Sequence, residues 1–540
     1  MTDLRCPADP EKSVASPIHW GGEGFQRLLE NCRRHVALVQ DLRTSRIGLT
    51  EQLNTHSGRL PLLPHSVRLL GLLPPLYPEW LGDRSFSRDH GVRFPYIAGA
   101  MAHGIASISL VRALTQSGFM AFFGAAGLDL AEVEHSAREL SQSLSGYTGW
   151  GMNLIYSPQQ PGWEDAVVEC YLRYGVRKVS ASAYMRLTPA LVRYACKGLT
   201  RREDGRIFRP NALFAKVSRT EVATAFMKPA PQALLDFLVQ QKKLTPDEAQ
   251  LARSIPLAQD ITAEADSGGH TDNQSMASLV PVLSRMAAEM SRQYGYSVPL
   301  RVGAAGGLGT PASLAAAFGM GASYVLTGSV NQSCAEAGIS DLAKSMLMSA
   351  ELKDMQMAPA ADMFGMGVQV QVLAKGTLFP VRARKLYRWY RQYAALSELP
   401  SSVRTELERD FFRQPLDEAW EATRCFWELR DRNELRRAEE DSHHQMALLF
   451  RSYLGLAGRW ALSGDRTRQG DYQIWCGPAQ AAFNDWIKGS FLEDPEQRTV
   501  VQVAKNLMEG AAVLTRMAQF RSFGVPVCGS DFSFRPRPLT

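Results

Sequence analysis

Short apolar runs, each followed by a segment long enough for a helix, recur from residue 94 to residue 327. This alternation constrains the fold more than any other feature of the chain. "RFPYIAGAM" ends in small residues, "GIASISLVRALTQSG" follows with helical periodicity and stops at Gly118, and "MAFFGAAG" is the next apolar run. "GWGMNLI", "VRKVSAS", "LFAKVS", "DITAEA", "LRVGAAGG" and "SYVLTGS" continue the series. Strands separated by helices pair in parallel, because the helix carries the chain back to the starting edge. The spacing predicts eight strands, at 94–99, 119–124, 150–155, 176–181, 212–217, 259–264, 299–304 and 323–327. Eight such units over about 280 residues suit a closed (β/α)8 TIM barrel better than an open sheet.

At 540 residues the chain exceeds a single ordinary core. Residues 1–88 read as an N-terminal cap segment of short helical patterns and prolines; "LLPHSVRLLGLLPPLYPEWLG" holds too many prolines for a long helix. The barrel is expected over 89–375, with a helical insertion at about 219–256. In that insertion Thr245 reads as an N-cap, Pro246 as the first helical residue and Glu248 as the partner in a capping box. Following a barrel strand, the insertion is expected on the catalytic rim, as a lid, a partner surface or a passive addition. From 376 to 540 the βα rhythm is lost, and "VRARKLYRWYRQY", "PLDEAWEATRCFWELRDRNELRRAEED" and "TVVQVAKNLMEGAAVLTRMAQF" predict a mainly helical C-terminal region.

With 45% hydrophobic and 21% charged residues the composition is that of a folded, water-soluble protein. A net charge of +6 is too small for a dedicated nucleic-acid binder. The eight cysteines form no C-x-x-C pair and no zinc spacing with the ten histidines, so no metal site is expected and the thiols fit a reducing compartment. The N-terminus "MTDLRCPADPEKSVASP" lacks the apolar core of a secretion signal, and no apolar stretch reaches the ~18 residues of a membrane helix. A cytoplasmic protein with no nucleic-acid or membrane partner is the expectation.

The chemistry gathers at the ends of these strands. In "LRVGAAGGLGTPASLAAAFGMGASYVLTGSVNQ", Gly303, Gly306, Gly307 and Gly309 close one strand, Thr310 and Pro311 start an Ala-rich helix, and Gly328-Ser329 close the next strand. Bare backbone lets N–H groups approach an anion, and barrels commonly hold a phosphate with the loops after strands seven and eight. The glycines serve either a phosphate or only tight turns; neither loop is G-x-G-x-x-G and no P-loop occurs, so a phosphate held here would be that of a mononucleotide such as FMN or of a sugar phosphate. Gly99, Ala100 and Met101 after the first strand leave room for a flat ring. Asn153 offers an amide to a ring edge and Lys216 a cation, either in that role or a structural one. In "DITAEADSGGHTDN", Gly268 and Gly269 leave space for a cofactor and His270 faces the same mouth, as a proton donor or as an orienter of a bound carbonyl. His103 in "AMAHG" is a second candidate for that duty.

With these stretches, together with "FMKPAP", "LTPDEAQLA", "FGMGVQVQVLAKGTLFPVRARKLYRWY" and "AFNDWIKGS", the chain resembles the PfaD family over nearly its whole length. These are trans-acting, FMN-dependent enoyl reductases of polyketide and polyunsaturated fatty-acid synthases, similar to nitronate monooxygenases. The resemblance implies a barrel holding FMN, with phosphate on Gly306, Gly307, Gly328 and Ser329 and the ring near Gly99–Met101, Asn153 and Lys216. It makes His270 the catalytic residue, NADPH the transient hydride donor, and an enoyl thioester on an acyl carrier protein within the synthase complex the substrate. Arg382, Arg384, Lys385, Arg388 and Arg391 form either a steering surface for that acidic carrier or a solvated helix face. A nitronate monooxygenase-like oxidase and a non-catalytic docking subunit are the rival readings.

Overall fold

A computed structural model describes residues 17–51, 64–158, 160, 162–529 and 533–540. Residues 1–16, which carry most of the polar N-terminal stretch, lie outside the described residues, as do residues 62 and 63 of the proline-rich run. The chain forms two compact units, Met1–Pro78 with Glu509–Phe534, and Glu79–Met508 with Arg535–Thr540.

The first unit holds the helix Gly22–Glu30, but its main element is an antiparallel sheet of β1 (Val36–Asp41), β2 (Ile47–Thr50) and β3 (Val67–Leu73), in the order β2-β1-β3. The helical reading of this segment gives way to strands because "VALVQ" is an unbroken run of buried or half-buried residues. The Asp41 carboxylate fixes the following turn by accepting from the N–H groups of Arg43 and Thr44, at 2.8 and 2.7 Å.

The second unit contains the barrel. Its strands are β4 (Tyr96–Ala98), β5 (Met120–Phe123), β6 (Trp150–Ile155), β7 (Lys178–Ser182), β10 (Ala212–Val217), β11 (Asp260–Glu264), β13 (Arg301–Ala305) and β14 (Val325–Thr327). The intervening numbers are a small hairpin, β8 (Thr200–Arg201) and β9 (Ile207–Phe208), and a two-residue strand, β12 (Gly269–His270). The eight pair in parallel and close, with β14 against β4, so each strand read from the sequence is present and in the expected order. Aromatic rings from Phe86, Phe122, Phe214 and Tyr324 fill the interior. Small residues face them: a Cβ on Gly303 would lie 2.2 Å from the Tyr324 ring, and one on Gly151 2.6 Å from the Phe122 ring. Gly303 thus serves the core, and the phosphate reading retains only the glycines beyond the strand end.

The N-terminal end of the barrel is closed by charge. Arg301 donates to Asp260 through Nε and Nη2 at 2.7 and 3.0 Å and to Asp89 at 2.6 Å, and His90 Nε2 lies 3.0 Å from Asp260. Asp260 and Arg301 are 1% and 3% exposed. Burial pushes the Asp260 carboxyl up, but Arg301 and His90 outweigh it and hold it well below the usual range.

The extra helices after β10 do not lie over the rim. Thr245 and Glu248 make the capping box, yet helices Gln232–Gln240 and Pro246–Ala252 pack on the outer-ring helix Pro189–Cys196. Glu248 also accepts from the Gly198 N–H at 2.7 Å. Helix Thr220–Met227 has already returned the chain to the strand starts, where Leu257 and Ala258 bond to Lys228 and Phe226. The insertion buttresses the flank instead of forming a lid.

Beyond the barrel, β15 (Met355–Pro359) and β16 (Gln369–Leu373) join β12 in an antiparallel sheet ordered β12-β16-β15. Long helices follow, among them Phe379–Gln392, Leu416–Arg430 and Ser442–Ser463, around a core of Phe364, Leu386, Phe411, Phe450 and Tyr453. The basic stretch on Phe379–Gln392 is only partly free for steering: Arg382 pairs with fully buried Asp471 and Lys385 with Glu406, leaving Arg384, Arg388 and Arg391 exposed. Among the described residues no helix is long and apolar enough to cross a membrane.

Candidate active site

The C-terminal ends of the barrel strands form the mouth, and the glycines there divide into two kinds. Gly306 and Gly307 have φ of 88° and 68°, in the left-handed region that favours glycine. A Cβ on Gly306 would strike the Ala265 main chain at 2.5 Å, whereas one on Gly307 or Gly328 would meet nothing within 4 Å. Gly309 packs on the Ala479 carbonyl, 2.0 Å from where its Cβ would be. Among the described residues the N–H groups of Gly306, Gly307, Gly328 and Ser329 find no protein acceptor. Adjacent strand ends thus present unfilled main-chain donors beside open space, the arrangement that suits an oxyanion. Ser329 Oγ accepts from the Gly477 N–H at 3.1 Å and keeps its own proton to donate.

Gly99, Ala100 and Met101 follow β4. A Cβ on Gly99 would lie 2.5 Å from the end of the Leu326 side chain, and Met101 is buried with its carbonyl against Gly124. Asn153 on β6 is buried; its Oδ1 accepts from the Ala125 N–H at 2.7 Å and so fixes the loop after β5. The amide Nδ2 has no partner among the described residues. Lys216 on β10 is not an isolated cation, because its Nζ pairs with the Glu264 carboxylate at the end of β11. The sequence shows acids in this stretch but gives Glu264 no role; the pairing joins residues 48 positions apart. Beside them Asp266 accepts from Gln371 Nε2 at 2.5 Å, and burial raises its pKa above the ordinary carboxyl range.

His270 lies on β12, paired to Val370 of β16, so the C-terminal sheet sets its position. Its Nε2 lies 3.2 Å from Asp362 Oδ2, and its ring meets Trp475 edge-on with centroids 5.6 Å apart. The side chain is 32% exposed, sheltered but reachable. Burial raises the Asp362 pKa, but the bond to His270 and its charge bring the net below the ordinary value. Gly268 and Gly269 do not border open space. A Cβ on Gly268 would lie 2.8 Å from the Cys476–Gly477 main chain, and one on Gly269 2.8 Å from the Trp475 ring. On the side where a Cβ would point, their bareness admits the C-terminal segment. His103, the second candidate, stands apart from this group: it adopts φ 57° and its ring packs on Gly127. Asp362 and Trp475 carried no local signal, being 92 and 205 positions from His270 and ordinary in their own contexts.

A closed parallel barrel with open glycine loops at its mouth, followed by a mainly helical C-terminal region, defines the class as a TIM-barrel protein. Among solved structures, the enoyl reductase domain of MlnA from the macrolactin biosynthesis cluster of Bacillus amyloliquefaciens matches with 37% identity and a TM-score of 0.79, over 82% of this chain and 99% of that one. The polyketide biosynthesis protein PksE of Bacillus subtilis is 42% identical over 436 residues, 81% of this chain and 56% of PksE. A polyunsaturated fatty acid synthase component of a Thraustochytrium species is 43% identical over 450 residues, 82% of this chain and 30% of that component. This chain belongs to the PfaD-type enoyl reductase family. It spans about half or less of the length of these two curated relatives. Residues 393–472 match the inserted helical domain of acyl-carrier-protein S-malonyltransferase.

Proposed function

We propose that the protein reduces the α,β double bond of an enoyl thioester delivered on an acyl carrier protein, with FMN resident at the mouth and NADPH as a visiting reductant. The observation that carries this reading is the pair of donor-bearing strand ends at Gly306-Gly307 and Gly328-Ser329, together with Asn153 Nδ2, all without a protein acceptor among the described residues. These two loops fit a single phosphate, and no second phosphate loop or ribose-binding acid accompanies them. FMN would be held there by its phosphate, with Gly99–Met101, Asn153 and Lys216 toward the ring; when bound it supplies a group that accepts and returns a hydride.

The chain's own residues do the rest. Lys216 places a cation, and Glu264 holds it at the strand end. Asp362 takes His270 Nε2–H; in the doubly protonated ring Nδ1–H is then the donor to the thioester carbonyl or the source of the proton that the α-carbon gains. Trp475 and the sheet β12-β16-β15 lock that ring in place. The match of 393–472 to a helical domain of an enzyme named for acyl carrier protein supports carrier-bound delivery, in a cytoplasmic polyketide or polyunsaturated fatty-acid synthase.

The test is anaerobic NADPH oxidation by the purified protein with and without an enoyl thioester. Oxidation that requires the thioester supports the reading. Turnover of alkyl nitronates with oxygen and no NADPH selects the oxidase, and carrier binding without any turnover selects a docking subunit.

A further inference from the structure

We propose that Arg430 and Arg459 form a subsite for a phosphate group of the long ligand served by the barrel mouth, an inference that rests on the enoyl-reductase reading. Arg430 is the last residue of helix Leu416–Arg430, and Arg459 lies on helix Ser442–Ser463. Both guanidinium groups stand against the same Phe426 ring, 5.5 and 5.8 Å from its centroid. Among the described residues neither has a carboxylate partner. Their neighbours do: Arg424 lies 2.6 Å from Glu421 and 3.7 Å from Glu428, and Arg451 lies 3.4 Å from Glu434.

This pair faces the mouth. With its amide oriented to accept, Gln160 of the loop after β6 takes Arg430 Nε and Nη2 at 3.1 and 3.0 Å. His103, in the loop after β4, is held below the ordinary histidine range by desolvation first and then by the Arg459 charge, with Arg430 adding to it. Arg451 completes the bridge to the catalytic side by donating to the Ala361 carbonyl, next to Asp362, at 2.9 Å. Two like charges set side by side and left without a counter-ion raise the free energy of the empty site, and Arg430 is depressed by desolvation, Arg459 and Arg451 accordingly. A tetrahedral anion can accept from the Arg459 fork and from the Nη edge that Gln160 leaves open on Arg430, with the shared aromatic ring positioning both. The pantetheine arm of a carrier-bound thioester and the nicotinamide dinucleotide both bring a phosphate to this mouth.

Calorimetric titration of the full chain distinguishes the sources, using 4′-phosphopantetheine against pantetheine and 2′,5′-ADP against adenosine. We expect the phosphate-bearing member of one pair to bind more tightly, and the Arg430→Gln/Arg459→Gln double variant to lose about 10-fold of that affinity, as a charge-assisted pair implies. Arg459→Lys alone should retain part of it, and melting curves confirm that the variants fold. Loss confined to phosphopantetheine assigns the substrate arm; loss confined to 2′,5′-ADP assigns the dinucleotide. No preference for phosphate, or a preference that survives the double variant, overturns the subsite. Arginine-dependent phosphate binding without thioester reduction would instead sink the reductase reading and leave the subsite standing.

Discussion

The two ends of the barrel treat polar groups in opposite ways. At the strand starts, Asp260, Arg301 and His90 are buried and satisfy one another, with Asp89 completing the Arg301 fork. At the strand ends, the main-chain N–H groups of Gly306, Gly307, Gly328 and Ser329 and the Asn153 Nδ2 group have no protein acceptor among the described residues, and the ion pairs Lys216–Glu264 and His270–Asp362 are partly open to solvent. Complete pairing in a dry interior serves stability, because removing one partner strands the other. Donors left over at an accessible rim are what the proposed phosphate would need.

The largest expected effect is at the closed end. Asp260→Ala leaves Arg301 buried with half its fork unfilled and should cost about 3–5 kcal/mol of stability, read from denaturant melts. The pH dependence has a definite sign. The folded pKa of Asp260 is depressed, so its contribution is present above the unfolded value of about 4 and is lost as pH falls below it. Burial first, against the pull of Asp260, also lowers His90, so the unfolded chain takes up that proton first and stability declines from about pH 6.5 downward. A stability profile flat from pH 7 to 3 would erase the contrast between the two ends.

Substitutions at the mouth should act on function with little loss of fold. On the proposed reading, His270→Ala should leave FMN binding intact and lose about 100-fold or more in turnover, the scale of a positioned acid or hydrogen-bond donor. Asp362→Asn should cost less, since the imidazole remains. Gly307→Val should weaken flavin binding at least about 10-fold while costing only about 1–2 kcal/mol of stability for a side chain in the left-handed region. Equal losses would make Gly307 a turn residue. Smallest is Lys216→Met, expected to change stability by about 1 kcal/mol or less because the pair with Glu264 is partly solvated, yet to shift the flavin reduction potential.

What the sequence made legible follows the same division. Strand positions were readable because each is a short apolar run bounded by turn residues, and the Thr245 capping box was readable because its chemistry spans four residues. Gly307 and Gly328 stood out as bare backbone, but Gly303, Gly268 and Gly309 look the same in sequence and serve Tyr324, Cys476–Gly477 and Ala479. Only three-dimensional neighbours separate a glycine that borders open space from one that admits protein. His270 was visible, but its supports Asp362 and Trp475 arrive from the distant sheet and loop that no local pattern links to it. The flank position of the insertion was hidden for a related reason: a helix after a strand reads alike whether it stays at the rim or returns to the strand starts first.

The central claim is that main-chain donors at two neighbouring strand ends grip a single phosphate. Fluorescence titration of flavin-stripped protein with FMN and, in parallel, with riboflavin tests it most directly. The account predicts tight FMN binding and riboflavin binding weaker by about 100-fold, the loss of two or so charge-assisted bonds. Equal affinity for the two flavins, or no binding of either, would contradict it.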